Sequence, residues 1–115
     1  QTDYYITDAF RASAALLDTE ATAVFASSDN IALGLLKRLF SEGLRVPDDY
    51  SVVSYDNSAA DTLFEPALTS IEQNVTELSD VAFEIMLERI ADKDAAATPV
   101  ERILEPKLVV KASVA

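Results

Sequence analysis

The sequence predicts an α/β fold in which helices cover a doubly wound parallel sheet. Two patterns support this prediction. Short β-prone runs, such as 51–55, alternate with amphipathic helical segments, such as 29–42. This alternation is typical of parallel strands joined by helical crossovers. Polar residues also follow the strand-like runs at their carboxyl ends, where open α/β sheets bind their ligands. The 115 residues suffice for one modest domain or for a piece of a larger one.

The first half of the chain is predicted to contain two helices and a strand. Thr7 or Asp8 can cap the first helix, and a short β-prone run covers 22–26. The second helix is predicted over 29–42, because its apolar residues recur at helical spacing. These residues are Ile31, Leu35, Leu36, Leu39 and Phe40. Gly43 follows at the position where a residue in the left-handed conformation commonly closes a helix.

The second half is predicted to contain further strands and one long helix. The helix runs from 75 to 90, since Asn74 and Glu77 have the spacing of a capping box. Its buried side would comprise Val75, Leu78, Ala82, Ile85 and Met86. A short helix or turn is predicted over 59–64. Strands are predicted over 51–55, 68–72, 102–104 and 108–110.

The composition excludes several classes of function. The formal net charge is -11, from 20 acidic and 9 basic residues, so no basic patch is present to neutralise the phosphates of a nucleic acid. Cysteine and histidine are absent, which removes thiol nucleophiles, the Ser-His-Asp arrangement and the usual zinc ligands. Asp48 and Asp49 indicate a solvated turn, because a calcium loop needs more oxygen ligands. We therefore expect neither a metal site nor a cofactor.

Three stretches of the chain resemble LacI/GalR-type transcriptional regulators. They read Thr-Ala-Val-Phe-Ala-Ser-Ser-Asp-Asn-Ile-Ala-Leu-Gly over 22–34, Gly-Leu-Arg-Val-Pro-Asp-Asp-Tyr-Ser-Val-Val-Ser-Tyr-Asp-Asn over 43–57, and Pro-Ala-Leu-Thr-Ser-Ile-Glu-Gln over 66–73. The segment 105–113 resembles the closing strands of the same family. The resemblance covers nearly the whole chain in order and with matching spacing, whereas a lone short motif would not identify a family.

The resemblance implies an effector-binding domain similar to periplasmic sugar-binding proteins, with two α/β lobes joined by three crossovers. Residues 1–72 would form most of the carboxyl-terminal lobe, 73–102 would belong to the amino-terminal lobe, and 103–115 would form closing strands at the hinge and the carboxyl-terminal lobe. A sugar or sugar derivative would bind between the lobes and modulate DNA binding by a helix-turn-helix that precedes this chain. The family further implies a homodimer in the cytoplasm, without enzymatic activity and without contact with a membrane.

Five residues are candidates for contact with this effector. Asp56 ends a buried-looking strand, where its carboxylate could accept hydrogen bonds from a polyol or cap the next turn. Ser28 and Asp29 begin a helix, so one could cap it while the other faces the ligand. Gln73 lies at the implied third crossover and could bind the ligand or fix the hinge. Tyr4 matches a family aromatic that stacks on sugars, or it is a frayed terminal residue.

Two positions depart from the pattern of the family. Ser28 stands where the family usually has Asn, so its contact with a ligand would be indirect or bridged by water. Ser54 replaces a common Gly, which would crowd the end of its strand.

Four apolar residues match the surface through which the family's second lobes pair as two-fold dimers, or they simply pack in the core. They are Leu33, Leu36, Leu63 and Phe64.

Other functions fit the same residues less well. A periplasmic sugar-binding protein of a transport system would share the fold. Paired carboxylates are also typical of glycoside hydrolases, but Asp29 and Asp56 have ready binding and capping roles. A third alternative is a chain that swaps elements between copies, since the helix over 75–90 would otherwise lack a sheet to cover it.

Overall fold

The computed structural model of the chain describes residues 5–58, 65–91 and 99–115. The helices are α1 (Ile6–Ala12), which continues as a 3-10 turn (Ser13–Leu16), α2 (Asp29–Ser41) and α3 (Val75–Ala91). The strands are β1 (Ala23–Phe25), β2 (Ser51–Asp56), β3 (Thr69–Glu72) and β4 (Lys107–Val109). The helix or turn expected over 59–64 lies outside the described residues.

The described strands form one four-stranded sheet in the order β1-β2-β3-β4. β1 pairs with β2 in parallel, with Val24 opposite Val52, and β2 pairs with β3 in parallel, with Val53 opposite Thr69. Helix α2 connects β1 to β2, because parallel neighbours need a crossover rather than a tight hairpin. This arrangement confirms the predicted α/β fold class.

The core lies between α2 and the sheet. Leu35, Leu36 and Leu39 of α2 pack in one cluster with Val52 and Leu68, and each of the five is at most 2% exposed. A fully buried aliphatic side chain of this size contributes about 1.5–3 kcal/mol to folding. The leucines of the predicted apolar stripe are therefore confirmed as core residues. The stripe is narrower than predicted, because Phe40 is 43% exposed.

Strand β2 alternates between two environments. Val52 and Ser54 are both completely buried, whereas Val53 and Tyr55 are half-buried. This period of two is the pattern expected when successive side chains point to opposite faces of a sheet. It places the hydroxyl group of Ser54 on the same face as the apolar core, where it needs a hydrogen-bond partner.

Helix α1 approaches α2 closely at Gly34. A Cβ atom built on Gly34 would lie 2.5 Å from Cβ of Ala9 and 2.5 Å from the carbonyl oxygen of Ile6. Both distances are shorter than any real contact of a Cβ atom, so a residue with a side chain would push the helices apart. The small residue at this position is what permits the two backbones to pack together.

Helix α2 ends in a Schellman motif at Gly43, which has a φ of 75°. The backbone N–H of Gly43 donates to the carbonyl of Phe40, and that of Leu44 donates to the carbonyl of Leu39, at 3.1 and 2.9 Å. These two bonds satisfy carbonyl groups that the helix itself leaves unpaired. The predicted closing role of Gly43 is confirmed.

Residues near the carboxyl terminus complete the hydrogen bonding of the sheet. The hydroxyl group of Ser113 accepts from the backbone N–H of Thr69 at 2.8 Å and donates to the carbonyl of Val52 at 2.5 Å. The backbone N–H of Val52 donates to the carbonyl of Ser113 at 2.8 Å. Ser113 is completely buried, so its hydroxyl group satisfies backbone groups of two strands that water does not reach.

The chain forms two compact units, one of residues 1–72 with 108–115 and the other of residues 73–107. The first unit contains α1, α2 and most of the sheet described above. The second contains α3. The assignment of 1–72, 73–102 and 103–115 to the lobes of a two-lobed domain stays a prediction.

The predicted burial of one side of α3 is wrong for this chain. No described residue of α3 is buried, and Val75, Leu78 and Met86 are 63%, 49% and 48% exposed. Periodic spacing predicts which side chains share a face of a helix, but it does not supply the surface that covers them. Asn74 and Glu77, predicted as a capping box, contact each other through their side chains, with the amide donating to the carboxylate.

The strand predicted over 102–104 is also wrong, because the structure has no strand over 99–106. Ile103 is 82% exposed, so its β propensity is not matched by a neighbouring strand against which it could pack. The last predicted strand is present, displaced by one residue, as β4.

Candidate functional site

Polar residues of three neighbouring segments meet at the carboxyl ends of β1 and β2. Ser28 and Asp29 follow β1 and begin α2, and Asp56 is the last residue of β2, opposite Glu72 of β3. Parallel strands end at the same edge of a sheet, so sequence-distant polar groups are brought together here. This edge is where open α/β sheets bind their ligands.

Asp29 is the centre of this polar cluster. It is 2% exposed, and its Oδ1 atom accepts from the hydroxyl groups of Ser54 at 2.6 Å and Ser70 at 3.2 Å. Its Oδ2 atom accepts from the backbone N–H of Ser58 at 2.6 Å. Three donors satisfy a buried carboxylate that would otherwise be costly to remove from water. Asp29 thereby links the start of α2 to two strands and to the loop after β2.

Ser28 is the N-cap of α2. Its backbone is extended, and its hydroxyl oxygen accepts from the N–H of Ile31 at 3.3 Å. Ser28 is 8% exposed. Of the two roles expected for this pair, capping therefore falls to Ser28, while the carboxylate of Asp29 points into the protein. Contact of either side chain with an effector stays a prediction.

The segment 56–58, which comprises the last residue of β2 and the loop that follows it, has an unusual backbone. Asp56 and Asn57 have φ values of 113° and 50°, a region that residues other than glycine rarely adopt. Two successive residues of this kind cost about 1–3 kcal/mol each and persist only where the surroundings enforce them. Asp56 itself is half-buried. Such conformations are concentrated at ligand sites, which agrees with the candidate role of Asp56.

Side chains hold this loop from two further directions. The backbone N–H of Asn57 donates to the hydroxyl oxygen of Ser70 at 3.0 Å. The Nζ atom of Lys111 donates to Oδ1 of Asn57 at 2.6 Å. Lys111 is in turn placed by its backbone N–H, which donates to the hydroxyl oxygen of Thr69 at 2.8 Å.

The remaining ligand candidates are not part of the cluster around Asp29. Gln73 is half-buried and directly follows β3, at the residue where the second compact unit begins. Tyr4 lies outside the described residues.

Of the four candidates for a dimer interface, the structure describes two. Leu33 and Leu36 are 2% and 1% exposed and belong to the core cluster. Packing in the core was the alternative interpretation of these two leucines. Leu63 and Phe64 lie outside the described residues, so the dimer interface stays a prediction that depends on them.

Sequence reasoning missed several residues that build this site. Ser70, Ser58, Asn57 and Lys111 were not singled out, although each contributes a donor or an acceptor. The available signal was the serine at position 54, where the family commonly has glycine. A hydroxyl group on the buried face of a strand requires a partner, and in the folded sheet this partner is the carboxylate of Asp29.

A charged turn lies between α2 and β2. The backbone N–H of Arg45 donates to Oδ2 of Asp49 at 2.8 Å, and its Nε atom donates to the same oxygen at 3.2 Å. These bonds lower the pKa of Asp49 from its ordinary value, the backbone bond contributing most. Arg45 also pairs with Asp48 at 3.0 Å. The solvated turn predicted for these aspartates is thus an exposed ion-pair cluster.

Three further observations concern metal ions, membrane-spanning helices and a hollow in the surface. Within the described ranges, no group of three or more acidic residues is arranged to hold a metal ion. None of the described helices has both the length and the apolar character needed to cross a bilayer. A shallow apolar hollow on the sheet contains none of the candidate ligand residues; it is lined by Ala23, Val24, Phe25, Ser51, Val53 and Val114.

The chain is similar to known proteins along nearly its whole length. Residues 1–114 match the model of the periplasmic binding protein-like domain. The HTH-type transcriptional repressor PurR of Mannheimia succiniciproducens is 42% identical over 98 residues, which are 85% of this chain and 29% of that protein. The chain therefore spans about three-tenths of the length of such relatives.

Solved structures are also similar to this chain along nearly its whole length. A LacI family transcriptional regulator of Enterococcus faecium with bound ribose has a TM-score of 0.90 and 32% identity, covering 99% of this chain and 42% of that one. A LacI family regulator of Arthrobacter in complex with lactose has a TM-score of 0.85 and 27% identity, covering 96% and 42%.

These similarities confirm the resemblance inferred from residues 22–34, 43–57 and 66–73. They also favour a regulator over a transport receptor, because the relatives are repressors and regulators. The chain belongs to the periplasmic binding protein-like domain family, and its relatives within that family are LacI-family transcriptional regulators.

Proposed function

We propose that this chain is the effector-sensing part of a LacI-type transcriptional repressor that binds a sugar or a sugar derivative. The loop of Asp56 and Asn57 carries the proposal, because a half-buried carboxylate is held there at the ligand end of a parallel sheet. A carboxylate in this position can accept hydrogen bonds from two neighbouring hydroxyl groups of a polyol. The bound ribose and lactose of two structural relatives support a ligand of this class.

The proposed role is to convert effector binding into a change of DNA affinity. The effector would bind between two lobes and favour one of their arrangements, which requires unequal affinity for the two. DNA would be contacted by an amino-terminal helix-turn-helix and not by this segment, whose net charge of -11 opposes contact with phosphates. The protein would act in the cytoplasm as a homodimer. Chemical conversion of the ligand is not part of the proposal.

Two measurements on the intact gene product test this function. Calorimetric titration with a panel of pentoses and disaccharides, including ribose and lactose, should detect binding of at least one sugar. The immobilised protein should retain genomic DNA fragments that share a common sequence. Addition of the sugar that binds in the calorimetric titration should change the amount of this DNA that is retained. A protein that binds no sugar of the panel contradicts the proposed ligand class. A protein that retains DNA without sequence preference contradicts the proposed role as a repressor.

A further inference from the structure

The backbone of the 56–58 loop is held in a conformation that its own residues do not favour. Asp56 and Asn57 both have positive φ values, of 113° and 50°. Asn tolerates the left-handed region better than most residues, but Asp56 lies well outside that region. The loop therefore depends on contacts from other segments to keep this shape.

Three hydrogen bonds from separate segments supply these contacts. Asp29, at the start of α2, accepts the backbone N–H of Ser58 at 2.6 Å. Ser70 of β3 accepts the backbone N–H of Asn57 at 3.0 Å, and Lys111 donates to the side chain of Asn57 at 2.6 Å. The two backbone bonds fix the peptide groups that directly follow Asp56 and Asn57, which lie on either side of Asn57.

Asp29 is itself fixed in place. Its carboxylate accepts hydrogen bonds from the hydroxyl groups of Ser54 and Ser70, and both serines are completely buried. Asp29 is also the first residue of α2, so its backbone belongs to a rigid helix. Its rotamer is thus determined by three donors on three different segments, and 98% of its surface is removed from solvent.

We propose that Asp29 is a positioning residue, which holds the amide of Ser58 so that the loop presents the carboxylate of Asp56 to the effector. Asp29 does not contact the effector, because it is only 2% exposed and its carboxylate is directed at three internal donors. Ser54 and Ser70 keep the carboxylate in this orientation. The inference rests on the proposed function only in its last step, from the shape of the loop to effector binding.

Two substitutions of Asp29 distinguish a role in positioning the 56–58 loop from direct contact with the effector. In Asp29→Asn, the amide oxygen can still accept the N–H of Ser58, and the amide nitrogen can donate to the oxygens of Ser54 and Ser70. The variant therefore keeps the acceptor of the Ser58 amide and removes the charge, while the two serine hydroxyl groups become acceptors in place of donors. In Asp29→Ala, the N–H of Ser58 and both hydroxyl groups lose their acceptor.

Amide hydrogen exchange measured by NMR on the full chain without ligand tests the first step. In Asp29→Ala, the amide of Ser58 should exchange about tenfold faster or more than in the wild type. In Asp29→Asn, its exchange should stay close to that of the wild type. The amide of Ala26, which donates to the carbonyl of Val53 at 2.8 Å, serves as an internal control for the integrity of the sheet.

A second variant covers the case in which Asp29→Ala does not fold. Ser70→Ala removes a donor that orients the carboxylate of Asp29, as well as the acceptor of the Asn57 amide. The amides of Ser58 and Asn57 should therefore both exchange faster while that of Ala26 is unchanged. Unchanged exchange of Ser58, in a folded Asp29→Ala or in Ser70→Ala, overturns the inference.

Calorimetric titration with ribose and lactose tests the last step on the intact gene product. For whichever sugar the wild type binds, Asp29→Ala should weaken binding about tenfold or more, and Asp29→Asn should restore most of it. Equal weakening in both variants, with the Ser58 amide still protected in Asp29→Asn, would make Asp29 a contact residue and overturn the inference. If the wild type binds neither of these two sugars nor any other sugar of the panel, the proposed ligand class is wrong, and the exchange data alone decide whether Asp29 fixes the loop.

Discussion

Asp29 illustrates how the fold can give a residue a role that differs from both of the roles expected from its sequence position. It begins a helix and it lies at the ligand end of the sheet, but its carboxylate is directed at Ser54, Ser58 and Ser70. These partners lie 25, 29 and 41 residues away in the chain. Local sequence rules predict a cap or a contact, whereas the observed role depends on partners that only the folded sheet brings near.

The pair of Arg45 and Asp49 gives a prediction about pH. The pKa of Asp49 is below its ordinary value, because the backbone N–H and then the side chain of Arg45 donate to its carboxylate. The stabilisation that comes with a lowered pKa is complete above the ordinary pKa and is lost as the pH falls through the lowered one. Carbon NMR of the Asp49 carboxyl group should therefore give a midpoint below the ordinary value.

The variant Arg45→Ala separates the effects of the backbone and of the side chain of Arg45 on the pKa of Asp49. It removes the donors of the side chain and leaves the backbone N–H, which lowers the pKa most. The midpoint of Asp49 should rise and yet stay below the ordinary value. A midpoint that returns fully to the ordinary value would show that the side chain alone causes the shift.

Helix α2 is the element that the sequence predicts best. Its leucines at helical spacing, its cap at Ser28 and its terminating Gly43 all act within a few residues of each other, and the structure has each of them in place. Helix α3 has an equally clear apolar pattern, yet no described residue of it is buried. The difference is that α2 packs against a sheet within its own compact unit.

The contact between α1 and α2 at Gly34 gives a prediction about stability. In Gly34→Ala, the new methyl group would meet Cβ of Ala9 and the carbonyl oxygen of Ile6. The overpacking should lower the free energy of unfolding by about 1–3 kcal/mol, although alanine favours helix formation by up to about 1 kcal/mol over glycine. Urea denaturation of the full chain measures the change.

Two substitutions of Gly43 serve as controls for Gly34→Ala. A Cβ atom on Gly43 has open space around it, but φ is 75° there. Gly43→Ala should cost about 1–2 kcal/mol through backbone strain alone, and Gly43→Asn should cost less, since Asn tolerates this conformation. If Gly34→Ala were as stable as the wild type, the close approach of α1 and α2 would not be limited by side-chain volume.

At the scale of the whole molecule, the parallel sheet and the polar edge at the carboxyl ends of its strands can be predicted from the sequence, because β-prone runs alternate there with amphipathic helical segments. The network that ties this edge to the carboxyl-terminal residues cannot be predicted in this way, because Lys111 and Ser113 act on Asn57, Thr69 and Val52 across 42–61 residues. The exposed apolar side chains of α3 raise the alternative of element exchange between copies, which stays a prediction, as does the homodimer.

The proposed function depends on contact between the effector and the carboxylate of Asp56. The measurement to make is the affinity for the sugar that the intact gene product binds best, compared between wild type, Asp56→Ala and Asp48→Ala. Asp48 is the matched control, since it is an aspartate in the exposed turn with Arg45. Loss of a charged hydrogen-bond acceptor should weaken binding roughly tenfold to a hundredfold in Asp56→Ala and leave Asp48→Ala unchanged. Equal affinity in all three proteins would contradict the assignment of the effector site to the carboxyl end of β2.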